Sequence, residues 1–374
     1  MGSRIKSGAR KVTTLWRDDL SWRQRALWSP LAPLSTVYGA AAAVRRGWWR
    51  MFNRRAAVAT ISIGNLTVGG NAKTPFALYL ARRLAARGVR VGIVSRGYGA
   101  ANPPTTAAIV ANGGTILLTP EEAGDEPVMM ARAFDGPVAV GRRRLDAIAL
   151  LERTGAVDAV VLDDGFQHVR LRRDFDLLVV GGDRGLGNGW TLPAGPLRES
   201  PRAARRADAI IMIATDGEPS APSPALARML ASARQPVMRA RLVPTALIQF
   251  ELGRWHETPL ALHSRRILAV SGLAEPAAFY RMLRSLEADL VGVLEFPDHH
   301  RYSVADCQNI REAAMQADAI ITTEKDLVKL EKFPFARDSL YALRVEVVMD
   351  PGDEARLLAM VTNAVSIPAR MART

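Results

Sequence analysis

Cysteine is nearly absent from this 374-residue chain: Cys307 stands alone, which excludes an intramolecular disulfide and fits a reducing compartment. Histidine is scarce as well. Of five, only His299 and His300 are neighbours, and no Cys/His spacing suits a structural zinc site. Internal repeats and low-complexity tracts are missing, so a solenoid or a fibrous chain is excluded. With 48% hydrophobic and 23% charged residues, the composition is that of a folded enzyme rather than a disordered segment, and the length suits about two domains. Acidic residues are almost missing from the first 55 positions. Asp18 and Asp19 face twelve Lys/Arg there, so +10 of the net +13 is concentrated in this stretch.

That charge brackets an apolar segment. Residues 26–44 carry no charge, Arg23, Arg25, Arg45, Arg46 and Arg50 flank them, and Trp22, Trp28, Trp48 and Trp49 lie near the ends, where indole favours a bilayer interface. A nucleic-acid binder would spread its basic residues over a folded face, so the pattern points to anionic lipid and no nucleic acid. Pro30, Pro33 and an alanine-rich second half argue against a spanning helix. A helix after Pro33 places Leu34, Val37, Tyr38, Ala41, Val44, Trp48 and Phe52 on one side, as in a helix lying in the membrane without crossing it. The alternative is a helix packed on its own domain.

Beyond residue 55, short β-branched runs alternate with helical stretches, the pattern of an α/β sheet protein. Strands are expected at 58–63, 89–94, 138–140, 159–162, 175–180 and 209–213. A hairpin is expected around Asn112-Gly113-Gly114, and helices at 74–87 and 125–134. A loop-like stretch at 215–224 precedes a second α/β series, with strands at 267–270, 290–294 and 319–322 and an extended connector at 236–250. The expected division is a segment 1–55, a domain 56–245 and a smaller domain 246–374.

Gly64-Asn65-Leu66-Thr67-Val68-Gly69-Gly70-Asn71-Ala72-Lys73-Thr74 lies between a strand and a helix. In such a loop, backbone N–H groups and a helix N-terminus cradle phosphates, the lysine reaches the terminal phosphates, and the threonine hydroxyl meets magnesium. Gly69, Gly70, Asn71, Ala72, Lys73 and Thr74 are therefore the candidate ATP contacts. Thr67 and Ala72 stand where glycines are usual; Ala72 is expected to tolerate this by entering the helix right-handed. An apolar strand ending in Asp163-Asp164 supplies the hard oxygen ligands that magnesium needs beside the loop.

Further blocks follow in order: Ser95-Arg96-Gly97-Tyr98-Gly99, Gly124-Asp125-Glu126-Pro127, Asp163-Asp164-Gly165-Phe166-Gln167-His168, Leu192-Pro193-Ala194-Gly195-Pro196-Leu197-Arg198-Glu199, Phe296-Pro297-Asp298-His299-His300 and Thr322-Thr323-Glu324-Lys325-Asp326. Together they resemble the tetraacyldisaccharide 4′-kinase family, from about residue 25 to 350. The resemblance implies a P-loop domain, a smaller C-terminal α/β domain, an active site between them and a membrane-associated N-terminal helix. It also implies ATP and Mg2+ as cofactors, a lipid A disaccharide 1-phosphate as acceptor, and residence at the cytoplasmic face of the bacterial inner membrane. By the same resemblance Asp125 is the catalytic carboxylate and a histidine of the Asp-His-His block, His299 in preference to His300, orients it. Lys73 and Thr74 hold phosphates and metal, Asp163, Asp164 and Glu126 complete the metal environment, and Arg96, Tyr98, Arg144, Gln167 and His168 contact phosphate or sugar.

The chemistry is consistent with this without the resemblance. Phosphoryl transfer needs positioning and charge neutralisation, and an attacking sugar hydroxyl needs a carboxylate to accept its proton. Two other readings use the same scaffold: an ATP-dependent ligase with an acyl-phosphate acceptor in solution, and a regulatory nucleotide switch that cycles at a membrane. No obligate protein partner is indicated.

Overall fold

The protein is described by a computed structural model covering Trp16 and residues 29–69, 72–182, 185–215, 222–334 and 339–371. Apart from Trp16, the basic residues and indoles before Ser29, and the loop residues Gly70 and Asn71, lie outside the described residues. Two compact units emerge from the packing. The first comprises Met1–Val94, Glu152–Arg241 and Val348–Thr374, and the second Ser95–Leu151 and Leu242–Val347. These units interleave along the chain, whereas the division expected from sequence is consecutive.

In chain order, helix α1 (Ala32–Met51) precedes strand β1 (Ala59–Gly64), helix α2 (Lys73–Ala85) and strand β2 (Val91–Ser95). The hairpin β3 (Ala108–Asn112) and β4 (Thr115–Ile116) follows, then α3 (Pro120–Ala123), α4 (Asp125–Ala133), β5 (Val138–Val140) and α5 (Arg144–Arg153). Next come β6 (Ala159–Leu162), β7 (Phe175–Gly181), β8 (Ala209–Ala214), α6 (Pro224–Ala231), β9 (Val237–Glu251) and β10 (Arg254–Thr258). The remainder is β11 (Arg266–Ser271), α7 (Ala277–Ser285), β12 (Asp289–Glu295), α8 (Val304–Ala313), β13 (Ala319–Thr323), α9 (Glu324–Leu330), β14 (Leu340–Met349) and α10 (Pro351–Met371).

The first unit is a parallel sheet in the order β9-β8-β7-β1-β6-β2. Every residue of β1 is buried, as a central parallel strand covered on both faces must be, and Thr60 and Ser62 are buried along with Ala59, Ile61 and Ile63. Helix α2 packs on β1 and β6 through Phe76, Ala77, Leu80, Ala81 and Leu84, a helical spacing. Helix α10, which begins with Asp353 and Glu354 in its first turn, packs on β1 and α2.

Helix α1 belongs to this unit and accepts Pro33 in its first turn, where a missing N–H leaves no bond unmade. Its Ser35 is fully buried: Oγ donates to the Thr191 carbonyl at 2.7 Å and accepts from Ala194 N at 2.9 Å, and Thr191 Oγ1 donates to the Ser35 carbonyl at 2.7 Å. The Arg170 guanidinium stacks over Trp49, and Arg46 pairs with Glu199 at 3.2 Å. Leu34, Val37, Val44, Trp48, Met51 and Phe52 are exposed. Among the described residues, no helix is long and apolar enough to cross a membrane.

The second unit has a parallel series β12-β11-β13-β14 and an antiparallel pair, β10 with the end of β9. It also contains the antiparallel set β4-β3-β5. The 236–250 stretch, expected to be extended, is the long strand β9, which starts in the first unit and ends in the second. Helix α4 packs on β3, β5 and α9, and this contact builds the site described next.

Candidate active site

In the first unit, the loop after β1 enters α2 at Lys73. Lys73 Nζ donates to Asn65 Oδ1 and to the Gly69 carbonyl, both at 3.2 Å, and lies 3.5 Å from Asp164 Oδ1. The Thr74 hydroxyl, at the buried start of the helix, lies 3.3 Å from Asp163 Oδ2. Asp163 and Asp164 directly follow β6, but they point to different partners. Asp164 has a left-handed backbone (φ 50°) and receives Arg198 Nη1 on both oxygens, at 3.0 and 2.8 Å. Gln167 donates from Nε2 to the Asn65 carbonyl at 2.7 Å, which ties the acidic strand end to the loop. His168 is half-buried, and its carbonyl accepts from Arg173 at 3.1 Å.

One expectation fails here. Ala72 is not right-handed: its φ of 56° and ψ of 23° are left-handed, a conformation that costs an L-residue roughly 1–2 kcal/mol. The reason is local. A left-handed residue beside right-handed ones turns successive N–H groups to one side, which an anion-binding loop requires. Glycine would take this conformation without a penalty.

In the second unit, Asp125 opens α4, where the helix N-terminus favours a negative charge. Its side chain is only 4% exposed. His299 Nδ1 lies 3.2 Å from Asp125 Oδ2, although the two residues are 174 positions apart. Burial by itself would raise the Asp125 pKa; the His299 hydrogen bond and the charge of Lys329 outweigh it and hold the carboxyl at about 2. On its other side, His299 Nε2 lies 3.4 Å from Lys325 Nζ, and Lys325 donates to Asp298 Oδ1 at 2.6 Å. His300 turns instead to Asp306, at 3.1 Å.

The glycines around this pair are dictated by space. Gly99 has φ 81°, and a Cβ there would come within 2.9 Å of His299 Nδ1. Gly124 has φ 90°, and a Cβ there would lie 2.5 Å from the Tyr98 carbonyl. The exposed Tyr98 ring meets His299 edge-on, centroids 5.2 Å apart. Arg96 is exposed and Glu126 is half-buried. Arg144 is buried at the start of α5, where Nη1 donates to the Gly141 carbonyl at 3.2 Å.

The structure thus brings Lys73, Thr74, Asp163, Asp164 and Gln167 together in one unit, and Asp125, His299 and Tyr98 together in the other. Several neighbours received no role from sequence: Asn65 and Arg198 at the first group, Lys325, Asp326 and Lys329 at the second. Lys325 and Asp326 lie in a quoted block, so a signal existed. Lys329 lies beyond that block, and only the i, i+3 spacing from Asp326 pointed to it.

A hard divalent cation fits the first group. Thr74 and Asp163 present their oxygen atoms side by side, and such cations are held by one or two carboxylates with substrate phosphates. Among the described residues, no cluster of three or more His, Cys, Asp or Glu could hold a metal by itself.

A parallel sheet with a lysine- and threonine-bearing loop entering a helix, beside a strand ending in carboxylates, defines the P-loop class of α/β proteins. The particular family follows from the comparisons. Residues 27–365 match the family LpxK, tetraacyldisaccharide-1-P 4′-kinase, and the chain belongs to it. A tetraacyldisaccharide 4′-kinase of Anaeromyxobacter sp. (strain Fw109-5) is 40% identical over 346 residues, 91% of this chain and 92% of that protein. One of Geobacter sulfurreducens is 43% identical over 303 residues, 80% of this chain and 82% of that protein. The crystal structure of LpxK from Aquifex aeolicus in complex with ATP matches with a TM-score of 0.72 and 30% identity, covering 90% of this chain and 99% of that one. The family is one of phosphotransferases.

Proposed function

We propose that this chain transfers the γ-phosphate of ATP to the 4′-hydroxyl of a tetraacyldisaccharide 1-phosphate, a step of lipid A formation. The observation that carries this reading is the Asp125–His299 pair, a buried carboxylate held at 3.2 Å by a histidine. A nucleotide switch needs no acceptor base, and a ligase acts on an acceptor that is already a carboxylate; an alcohol has a proton to lose.

In this reading Lys73 neutralises the β- and γ-phosphates, and the loop amides around Gly69 and Ala72, with Gly70 and Asn71, cradle them. Mg2+ would screen phosphate charge when bound, and Thr74, Asp163 and Asp164 are the residues of the first unit that would hold it, with Glu126 assigned to the same role by the resemblance alone. Asp125 takes the proton of the attacking hydroxyl, and His299 orients Asp125. Tyr98, Arg96, Arg144, Gln167 and His168 contact sugar or phosphate. The domain division at residue 245 belongs to this proposal in function only: residues before it carry the phosphate loop, those after it carry His299.

The acceptor is a lipid, and the N-terminus suits its surface. The exposed Leu34, Val37, Val44, Trp48, Met51 and Phe52 of α1 would lie in the interface at the cytoplasmic face of the inner membrane. The basic residues before and after them would meet anionic headgroups, each worth about 1 kcal/mol.

The test is transfer of labelled phosphate from ATP into a chloroform-extractable product, with the disaccharide 1-phosphate lipid as acceptor. The wild type labels the lipid and Lys73→Ala does not, although it stays folded. Label released only as inorganic phosphate, or captured by a soluble acid, would overturn the reading.

A further inference from the structure

A buried cation touches Asp125 at the same oxygen as His299. Lys329 extends from α9, its side chain only 7% exposed, and Nζ lies 3.1 Å from Asp125 Oδ2 and 3.0 Å from Asp326 Oδ1. Both contacts are at ion-pair distance. Asp326 is itself fixed. It is fully buried, its Oδ2 accepts from Gly272 N and from Thr323 Oγ1, both at 2.8 Å, and its own N–H donates to Thr323 Oγ1 at 3.1 Å. The Tyr302 ring completes the pocket, 5.5 Å from Nζ.

An ammonium in such a place is unfavourable unless carboxylates neutralise it, and here two do. One of the two, that of Asp326, is anchored by two hydrogen bonds; the other is that of Asp125. Lys329 and His299 both approach Oδ2 of Asp125, and among the described residues no hydrogen bond falls on Oδ1. The carboxylate is thus gripped by one oxygen with the other left for an incoming proton.

We infer that Lys329 is a positioning residue for phosphoryl transfer: anchored by Asp326, it holds Asp125 by Oδ2 so that Oδ1 faces the acceptor hydroxyl. A purely structural ion pair joining α4 to α9 would use the same contacts, but it would not require that both partners of Asp125 choose one oxygen. The inference rests on Asp125 being the base, and the test separates the two claims.

The test is steady-state kinetics of the full chain with ATP and the lipid acceptor, for Lys329→Met, Asp125→Ala and the double variant, each with its Tm. Lys329→Met is expected to lower kcat by ~10–100-fold with KM for both substrates within about threefold, because orientation and not binding is lost. In the Asp125→Ala background the same change is expected to cost nothing further, because there is no carboxylate left to position. If Lys329→Met does not fold, Lys329→Arg serves. It keeps the charge but displaces it, and is expected to lower kcat with the same dependence on Asp125. Equal losses in both backgrounds, or an unchanged kcat, overturn the role of Lys329. Full activity of Asp125→Ala instead overturns the assignment of the base itself.

Discussion

Arg198 grips Asp164 by both carboxylate oxygens, at 3.0 and 2.8 Å, and so separates two adjacent aspartates that look equivalent in sequence. Asp163 keeps its side chain toward the Thr74 hydroxyl, 3.3 Å away, while Asp164 is neutralised by Arg198 and approached by Lys73. The two carboxylates should therefore differ in their dealings with the metal. Asp163→Asn is expected to raise the magnesium concentration for half-maximal transfer by about tenfold or more, and Asp164→Asn by much less. Titrating activity against magnesium at saturating ATP checks this; equal shifts would contradict it.

The Asp125–His299 pair should act as a unit. Asp125→Ala is expected to lower kcat by ~10²–10⁴-fold, the usual yield of a positioned base. His299→Ala should cost less, since it orients the carboxylate without taking the proton. The double variant should be little worse than Asp125→Ala. Losses that multiply would give His299 a role of its own.

The same pair predicts an acid-side stability change. The Asp125 carboxyl, held at about 2 in the folded chain, sits below its ordinary value of 3.8. A depressed carboxyl stabilises the fold at pH above the unfolded value, and that contribution is lost as pH falls from about 4 toward 2. Urea unfolding between pH 5 and pH 3 should show a shallower loss for Asp125→Asn than for the wild type. Identical slopes would mean that Asp125 is not ionically held.

Helix α1 offers two faces with opposite predictions. Val37→Asp or Trp48→Asp, on the exposed face, should weaken co-sedimentation with anionic vesicles and leave Tm unchanged. Ser35→Val removes one partner from the Thr191 carbonyl and from Ala194 N, so it should destabilise the helix contact by about 1–3 kcal/mol. A vesicle affinity untouched by the exposed-face changes would remove the membrane role.

Cys307 should be inert. It is buried on α8, and burial together with nearby Asp306 pushes its thiol up to about 11. Alkylation at pH 7.5 should be slow in the folded chain and rapid in urea, because the thiolate is the reactive form. Fast labelling of the native chain would show that α8 opens.

Where function was legible in the sequence, it was because backbone chemistry ties a motif to its neighbours in the chain. Strand, glycine-containing loop and helix follow directly at residues 59–85, and an apolar β6 ends in carboxylates at Asp163. Elements of weaker periodicity escaped: β14, α9 and α10 have their apolar positions fixed by partners far away in sequence, and a short helix such as Glu324–Leu330 carries too few turns to show a stripe.

By itself, the sequence determined the α/β class, the phosphate loop, the concentration of positive charge around an apolar N-terminal segment, and the residue types from which an acid–base site could be built. Tertiary structure alone decided which of those residues meet. Asp125, at the start of α4, meets His299, in the loop after β12, across 174 positions of sequence, and Lys329 reaches the same carboxylate from the part of α9 beyond the Thr322–Asp326 block. The reason is physical: propensity, charge and periodicity act over a few residues, whereas ion pairs and burial depend on distances in space, which packing sets and sequence separation does not.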